Sequence, residues 1–411
     1  MKIPAYQVLI LVFFTILYCN EGLLAQNLAQ KSLNDLDEAL TEISATGLIK
    51  GYGVAVVSKD SMLFTKGYGF SDVENSIPYS VSSLQNIGSV SKTLIGIALL
   101  KAQELGKLKL EDPINKHLDF EVVNPHYPDA PILIWHLATH TGTINDTDLY
   151  DKKAYYVINK EDLALKSLKK QSEDFQTIAT KVSMKTYLKN FLAADGPWFK
   201  KKNYLKSKPG TAYEYSNIGA TLAAQVLEEA TGIPYDAFTR QYILKPLQMN
   251  ASGWSFDEID KSKHSKLYNA KGEELPKYSL VTYPDGGLIT NLTDFATYLS
   301  ELLKGYEKKG TLLTELSYAT LYEKRLPQKT KPQKARSYDD EFNSGIFMGY
   351  TPVGYLGHSG SDPGVATFMF FDPELSLGHI IMLNTSLNRD SIEKQFVPIL
   401  KAVKTALYMS E

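Results

Sequence analysis

A serine hydroxyl and a lysine amine stand three residues apart in Ser89-Val90-Ser91-Lys92. At the head of a helix, positions i and i+3 share a face, so the two side chains point the same way. A serine attacks a carbonyl only once its proton is removed, and a nearby amine held near neutrality can remove it. The same spacing recurs at Ser167/Lys170 and Ser391/Lys394, both in charge-rich or terminal stretches that read as solvated helix faces. Context separates the first copy. Gly88 precedes it and lets backbone and ligand approach closely. Leu94-Ile95-Gly96-Ile97-Ala98-Leu99-Leu100 follows, apolar on nearly every face, and predicts a buried helix. A lysine entering such a helix must be paired or neutral. Burial alone would lower its pKa toward the range a catalytic amine needs.

Two more motifs could join it. Tyr215-Ser216-Asn217 follows Pro209-Gly210-Thr211 and precedes an apolar helix marked by Ile218, Leu222, Val226 and Leu227. A phenol beside an ammonium loses its proton below its usual pKa of ~10, and can then serve as base or acid. Asn217 could bind a substrate amide. Taken alone, the triplet reads equally well as a turn before a helix. Further on, Gly357-His358-Ser359-Gly360-Ser361 leads into an apolar strand. A strand edge with free backbone groups can hold an extended peptide or amide, and alone this too reads as an ordinary turn.

Other chemistries find no footing. There is no Gly-x-x-x-x-Gly-Lys loop, no Gly-x-Gly-x-x-Gly fingerprint and no Gly-x-Ser-x-Gly elbow. His136 and His140 share the spacing of a zinc protease pair, but Leu137 stands where the glutamate would be, so a structural role is expected. The net charge of −2 implies no global attraction to nucleic acid or membrane. Lys2, the apolar run Val8 to Leu17 and the polar residues after it read as a secretory signal peptide over 1–25, cleaved after Ala25. The expected location is therefore periplasmic or secreted. Membrane attachment would come only through an uncleaved anchor or lipidation at Cys19, the one cysteine; Tyr18 before it is bulky for a lipoprotein signal.

The elements that must position these residues follow from periodicity. Leu33, Leu36, Leu40 and Ile43 make a helical stripe ended by Gly47. Val54 to Val57 and Met62 to Phe64 flank Ser58-Lys59-Asp60-Ser61 as a hairpin. Residues 89 to about 250 read as mostly helical. Val365 to Phe371 and His379 to Leu383 read as strands, before a final helix with apolar residues Ile392, Phe396, Leu400, Val403 and Leu407. The simplest packing is an α/β (α+β) domain over 26–411. Its sheet lobe spans about 30–85 and 280–411, and an inserted helical lobe spans about 86–279, with the site in the cleft between them. Within the helical lobe, residues 152–208 hold fourteen lysines, no arginine and five acids. This lysine-rich insert, about 148–208, also holds Tyr155, Tyr156, Tyr187, Trp198, Phe199 and Tyr204; it is read chiefly as a solvated helical insert with a few buried aromatics, and otherwise as a contact for an anionic polymer or a cover for the cleft.

Ile87 to Thr93, the Tyr-Ser-Asn triplet and the later His-Ser-Gly together resemble the serine β-lactamase-related family, which includes class C β-lactamases, D-Ala-D-Ala carboxypeptidases, esterases and D-aminopeptidases. Leu105 to Pro113, His136 to Gly142, Lys245 to Met249 and Gly286-Gly287-Leu288 fit as well. The resemblance implies a β-lactamase/transpeptidase-like fold. It implies Ser89 as the acylated nucleophile, Lys92 and Tyr215 sharing the proton work, and Asn217 orienting substrate. The N–H groups of Ser89 and Ser361, beside Gly360, would form the oxyanion hole. No metal or cofactor is called for. Class C enzymes carry Lys-Thr-Gly where this chain has His358-Ser359-Gly360. Lysine offers a substrate carboxylate a permanent charge, and histidine does not. The expected activity is a serine hydrolase acting on small esters or D-amino-acid-containing peptides, cell-wall peptide among them, and weak on β-lactams. The alternative is a penicillin-binding or cell-wall-binding protein that acylates without turnover.

Overall fold

The computed structural model describes residues 31–169, 175–326 and 343–408. The expected signal peptide, with Cys19, lies outside them. None of the described helices is long and apolar enough to cross a membrane. The described residues form two compact units, 31–48 with 389–408, and 49–388.

In the smaller unit, helix α1 (31–44) buries Leu36 and Leu40 from the expected stripe. The last helix departs from its sequence reading. A π-turn at Ile392–Phe396 inserts one extra residue and shifts the phase of the apolar face. Ile392 is consequently exposed, and Ile399 rather than Leu400 is fully buried, in line with Val403.

The larger unit is built on an antiparallel sheet. Its strands are β1 (Gly51–Ser58), β2 (Met62–Asp72), β3 (Ile77–Pro78), β4 (Asn343–Ser344), β5 (Gly349–Tyr350), β6 (Leu356–Asp362), β7 (Val365–Asp372) and β8 (Leu377–Leu383). Their spatial order is β3-β2-β1-β8-β7-β6-β5-β4. The expected hairpin is present as β1–β2, and the late apolar runs are β7 and β8, paired from Ala366↔Leu383 to Asp372↔Leu377. Strands β1 and β8 lie side by side, Tyr52↔Leu383 through Ser58↔Leu377, and are buried almost throughout. Both read as continuous apolar runs because both faces are covered.

Three helices of this unit matter to the site: α2 (Lys92–Glu104), α3 (Asn217–Thr231) and α4 (Leu292–Tyr306). Helix α4 lies on the sheet so closely that a Cβ at Gly53 or Gly378 would come within 3.2 Å or 2.8 Å of Leu292 or Leu299. Its Tyr298 hydroxyl donates to Thr93 Oγ1 at 3.0 Å, tying it to α2. Helix α2 is buried from Lys92 through Leu100, as its all-round apolarity predicts. Helix α3 ends at Gly232, whose φ of 72° is the left-handed conformation that stops a helix.

The lysine-rich insert is less helical than expected. Tyr155–Val157 pairs antiparallel with Tyr278–Leu280 and parallel with Gln176–Thr177. Its aromatics are core residues: Tyr150, Tyr155, Tyr187 and Tyr204 are buried, whereas Lys200, Lys201, Lys202, Lys206 and Lys208 are exposed.

Candidate active site

The nucleophile candidate sits where a tight turn becomes a buried helix. Gly88–Ser91 forms a 3-10 turn that runs directly into α2. Gly88 has φ 56°, which glycine adopts without strain. A Cβ there would lie 3.0 Å from the Ser361 nitrogen. A Cβ on Gly360 would fall 2.2 Å from the Ile87 oxygen and 2.9 Å from the Ser89 nitrogen. Strand β6 is thus pressed against the turn, backbone to backbone, and only glycine fits at both contact points. The N–H groups of Ser89 and Ser361 belong to these touching segments.

Lys92 is fully buried. Its Nζ donates to Ser89 Oγ at 2.9 Å, to Asn217 Oδ1 at 2.7 Å and to the Asp285 carbonyl at 2.7 Å. It also lies 5.2 Å from the centre of the Tyr215 ring. Three acceptors match the three N–H donors of an ammonium. Burial opposes its charge, but the negative character of Tyr215, Asp285 and Asp362 outweighs burial and holds the pKa above the ordinary lysine value. The sequence reading anticipated the opposite, because burial was the only effect visible in a local stretch. The opposing groups lie over a hundred residues away.

Tyr215 and Asn217 reach Lys92 because of the way α3 begins. Ser216 caps the helix, its Oγ accepting from the Gly219 N–H at 2.9 Å. Asp146 completes the cap, accepting from Ser216 Oγ and the Asn217 N–H at 2.7 Å and from the Ile218 N–H at 3.2 Å. An anion at a helix N-terminus is favoured by the helix dipole. Asp146 was not foreseen, since one aspartate in a loop carries no sequence mark of a cap seventy residues away. Asn217 Oδ1 is taken by Lys92, so its Nδ2 donors are what it can offer a ligand.

Two histidines lie against Tyr215. The His140 ring is 4.4 Å from it, centre to centre, and the His358 ring 6.0 Å. His140 Nδ1 accepts the Ser216 N–H at 3.2 Å. Burial, Lys92 and His358 push its pKa well down, so it is neutral. His358 Nδ1 meets the Ser359 carbonyl, which can only accept, so Nδ1 carries the proton and Nε2 is left as an acceptor. Burial and the Lys92 charge bring the His358 pKa down to about 4, against the pull of that hydrogen bond. His140 was expected to be structural and does hold the backbone, yet it also walls the site. His136 also holds backbone, its Nδ1 accepting the Leu133 N–H at 3.0 Å.

The other Ser-x-x-Lys copies do not assemble. Ser167 Oγ donates to the Glu274 carbonyl, and Lys170 lies outside the described residues. Lys394 pairs with Asp390 at the surface. The described residues hold no cluster of three or more metal-ligating side chains.

The Beta-lactamase family profile matches residues 36–402. The chain belongs to that family. It is 23% identical over 373 residues to Protein flp of Staphylococcus aureus strain MW2, covering 89% of this chain and 66% of that protein. It is 26% identical over 316 residues to the human mitochondrial serine beta-lactamase-like protein LACTB, covering 65% of this chain and 55% of that one. The chain thus spans just under two thirds of Protein flp and less of LACTB. The fold matches D-amino acid amidase from Ochrobactrum anthropi SV3 with a TM-score of 0.66 and 18% identity, over 92% of this chain and 99% of that one. It also matches an octameric penicillin-binding protein homologue from Pyrococcus abyssi, with a TM-score of 0.65 and 21% identity, over 90% and 77% of the two chains. Its fold is that of the penicillin-binding protein homologue and of the D-amino acid amidase.

Proposed function

We propose that the chain hydrolyses small esters or D-amino-acid-containing peptides and amides through an acyl-enzyme on Ser89, and that it acts weakly on β-lactams. The observation that carries this reading is the saturated Lys92 ammonium. Its Nζ lies 2.9 Å from Ser89 Oγ and 2.7 Å from both Asn217 Oδ1 and the Asp285 carbonyl, and the negative groups around it hold it protonated against burial. The Ser89 proton then passes to Tyr215, whose phenolate the adjacent ammonium favours. The Oγ–C bond forms as the carbonyl becomes an oxyanion, held by the N–H groups of Ser89 and Ser361. The C–O or C–N bond breaks, and Tyr215 returns the proton to the leaving group. Water repeats the sequence and frees the acid. Asn217 Nδ2 and His358 Nε2 orient the substrate.

A neutral His358 offers no charge to the carboxylate that β-lactams carry, which supports the weak β-lactam activity. D-amino acid amidase on the same fold supports the amide substrate class. We also propose export, on the apolar run Val8 to Leu17.

The test is a turnover panel with Ser89→Ala as control: p-nitrophenyl esters, D-amino acid amides, D-Ala-D-Ala peptides and a chromogenic cephalosporin. The expected result is Ser89-dependent turnover of an ester or D-amide at least ~10-fold above the cephalosporin, the size of one lost charged contact. Stable penicillin labelling without turnover of any substrate would instead make the protein a binder. Fast cephalosporin turnover would overturn the reading of His358.

A further inference from the structure

Behind Lys92 lie two buried carboxylates that the acylation chemistry does not touch. Asp285 accepts from Lys92 through its carbonyl, while its carboxylate accepts from the Tyr150 hydroxyl at 2.9 and 3.1 Å and from Thr221 Oγ1 at 2.9 Å. Asp362, at the end of β6, accepts from the Tyr155 hydroxyl at 2.6 Å through Oδ1. Its Oδ2 is buried and meets no hydrogen-bond donor. That oxygen lies within 3.3 Å of where a Cβ on Gly88 would stand, and within 3.1 Å of one on Gly286. It is therefore wedged between the nucleophile turn and the residue after Asp285. Both tyrosines come from the start of the lysine-rich insert, where Tyr155–Val157 pairs with Tyr278–Leu280.

An unpaired carboxylate oxygen buried in this way is costly, and the Lys92 charge favours its ionised form. We propose that Asp285 and Asp362 are positioning residues for the reaction: clasped by Tyr150 and Tyr155 of the insert, they keep Lys92 an ammonium throughout acylation. The groups that act on the Lys92 charge are Tyr215, Asp285, Asp362 and Asp146 on the negative side, and the neutral rings of His140 and His358. Asp146 is committed to the α3 cap, which leaves Asp285 and Asp362 as the balancing pair. Burial raises the Asp285 pKa to about 6 and that of Asp362 to about 7, against the hydrogen bonds they accept. Both are thus ionised at the alkaline pH where a buried lysine would otherwise lose its proton. The insert, on this view, supports the catalytic charge from behind.

The inference rests on Ser89 acylation, and its test separates the two. The rate of fluorophosphonate labelling at Ser89 is measured from pH 6 to pH 11 for the native chain and for Asp285→Asn, Asp362→Asn and Tyr150→Phe. Removing either carboxylate charge moves the alkaline limb of the profile down by about one pH unit, the size of a lost neighbouring charge. Tyr150→Phe leaves Asp285 ionised at that pH, so it lowers the rate without moving the limb. Failure of the native chain to label sinks the acyl-enzyme reading. Labelling with an unmoved limb in both Asn variants, folded by circular dichroism, overturns the role of the carboxylates. A limb that moves equally in Tyr150→Phe does the same, since it would report packing rather than charge.

Discussion

His140 and His358 carry the same His-x-Gly pattern and both lie against the Tyr215 ring, yet the backbone gives them opposite chemistry. His140 sits in a left-handed turn with φ 55° and is buried among Tyr215, Tyr213 and Phe347. Its Nδ1 accepts a backbone N–H, so the neutral ring carries its proton on Nε2. His358 lies on an extended strand and is half-buried. Its Nδ1 donates, so Nε2 is the acceptor. The glycines differ in the same sense. A Cβ on Gly142 meets the end of a leucine side chain at 2.8 Å and nothing else closer than 3.7 Å, whereas one on Gly360 meets backbone. One tripeptide shapes a wall, and the other lies on a strand pressed against the Ser89 turn. The pattern alone does not carry the role; the backbone around it does.

The sharpest way to break this comparison is to add a methyl to each glycine. Gly360→Ala pushes β6 off the Ser89 turn and spoils the placement of the Ser361 N–H. The expected loss in kcat is ~10²–10³, the usual effect of losing an oxyanion donor. Gly142→Ala needs only a leucine rotamer to give way, and changes kcat by less than ~10-fold. Equal losses in the two variants would erase the distinction.

A second measurement concerns charge. His358→Lys places a cation on the member of the pair proposed to face the ligand. The acylation rate by a penicillin, relative to a neutral p-nitrophenyl ester, should rise about 10-fold. An unchanged ratio would mean that His358 does not face the substrate carboxylate.

The smallest effect is on stability. Both rings have folded-state pKa values below the ordinary histidine value, so the folded protein binds fewer protons than the unfolded chain. Their contribution to stability is complete above about pH 6.5 and is lost as pH falls below it, toward about 4 for His358. His140→Gln and His358→Gln should each flatten the fall of Tm as pH drops. Each change is about 1 kcal/mol or less after the cost of the substitution itself. Steeper curves in either variant would contradict the neutral assignments.

Much of this arrangement was legible in the sequence. Ser89 and Lys92 do share a face, the Tyr215 and Asn217 motif does open an apolar helix, and the His358 motif does lead into strand β7. These are local patterns with periods of two or 3.6, which side-chain types report directly. The groups that set the charge were not legible. Asp146, Asp285 and Asp362 look like surface acids, and burial is a property of the fold rather than of a window of residues. Tyr155 is legible as a buried aromatic of the insert, but its bond to Asp362, and that of Tyr150 to Asp285, join residues far apart in the chain. The final helix shows a third kind of loss. Its π-turn moved the buried face by one residue, which no hydrophobic pattern announces.

The central claim is that Ser89 becomes covalently acylated. Rapid acid quench of the protein turning over a p-nitrophenyl ester, followed by intact-mass and peptide analysis, tests it directly. The predicted result is a population heavier by the acyl group, localised to the peptide bearing Ser89 and absent from Ser89→Ala. Turnover that persists in Ser89→Ala, or an acyl group found on another residue, would contradict it.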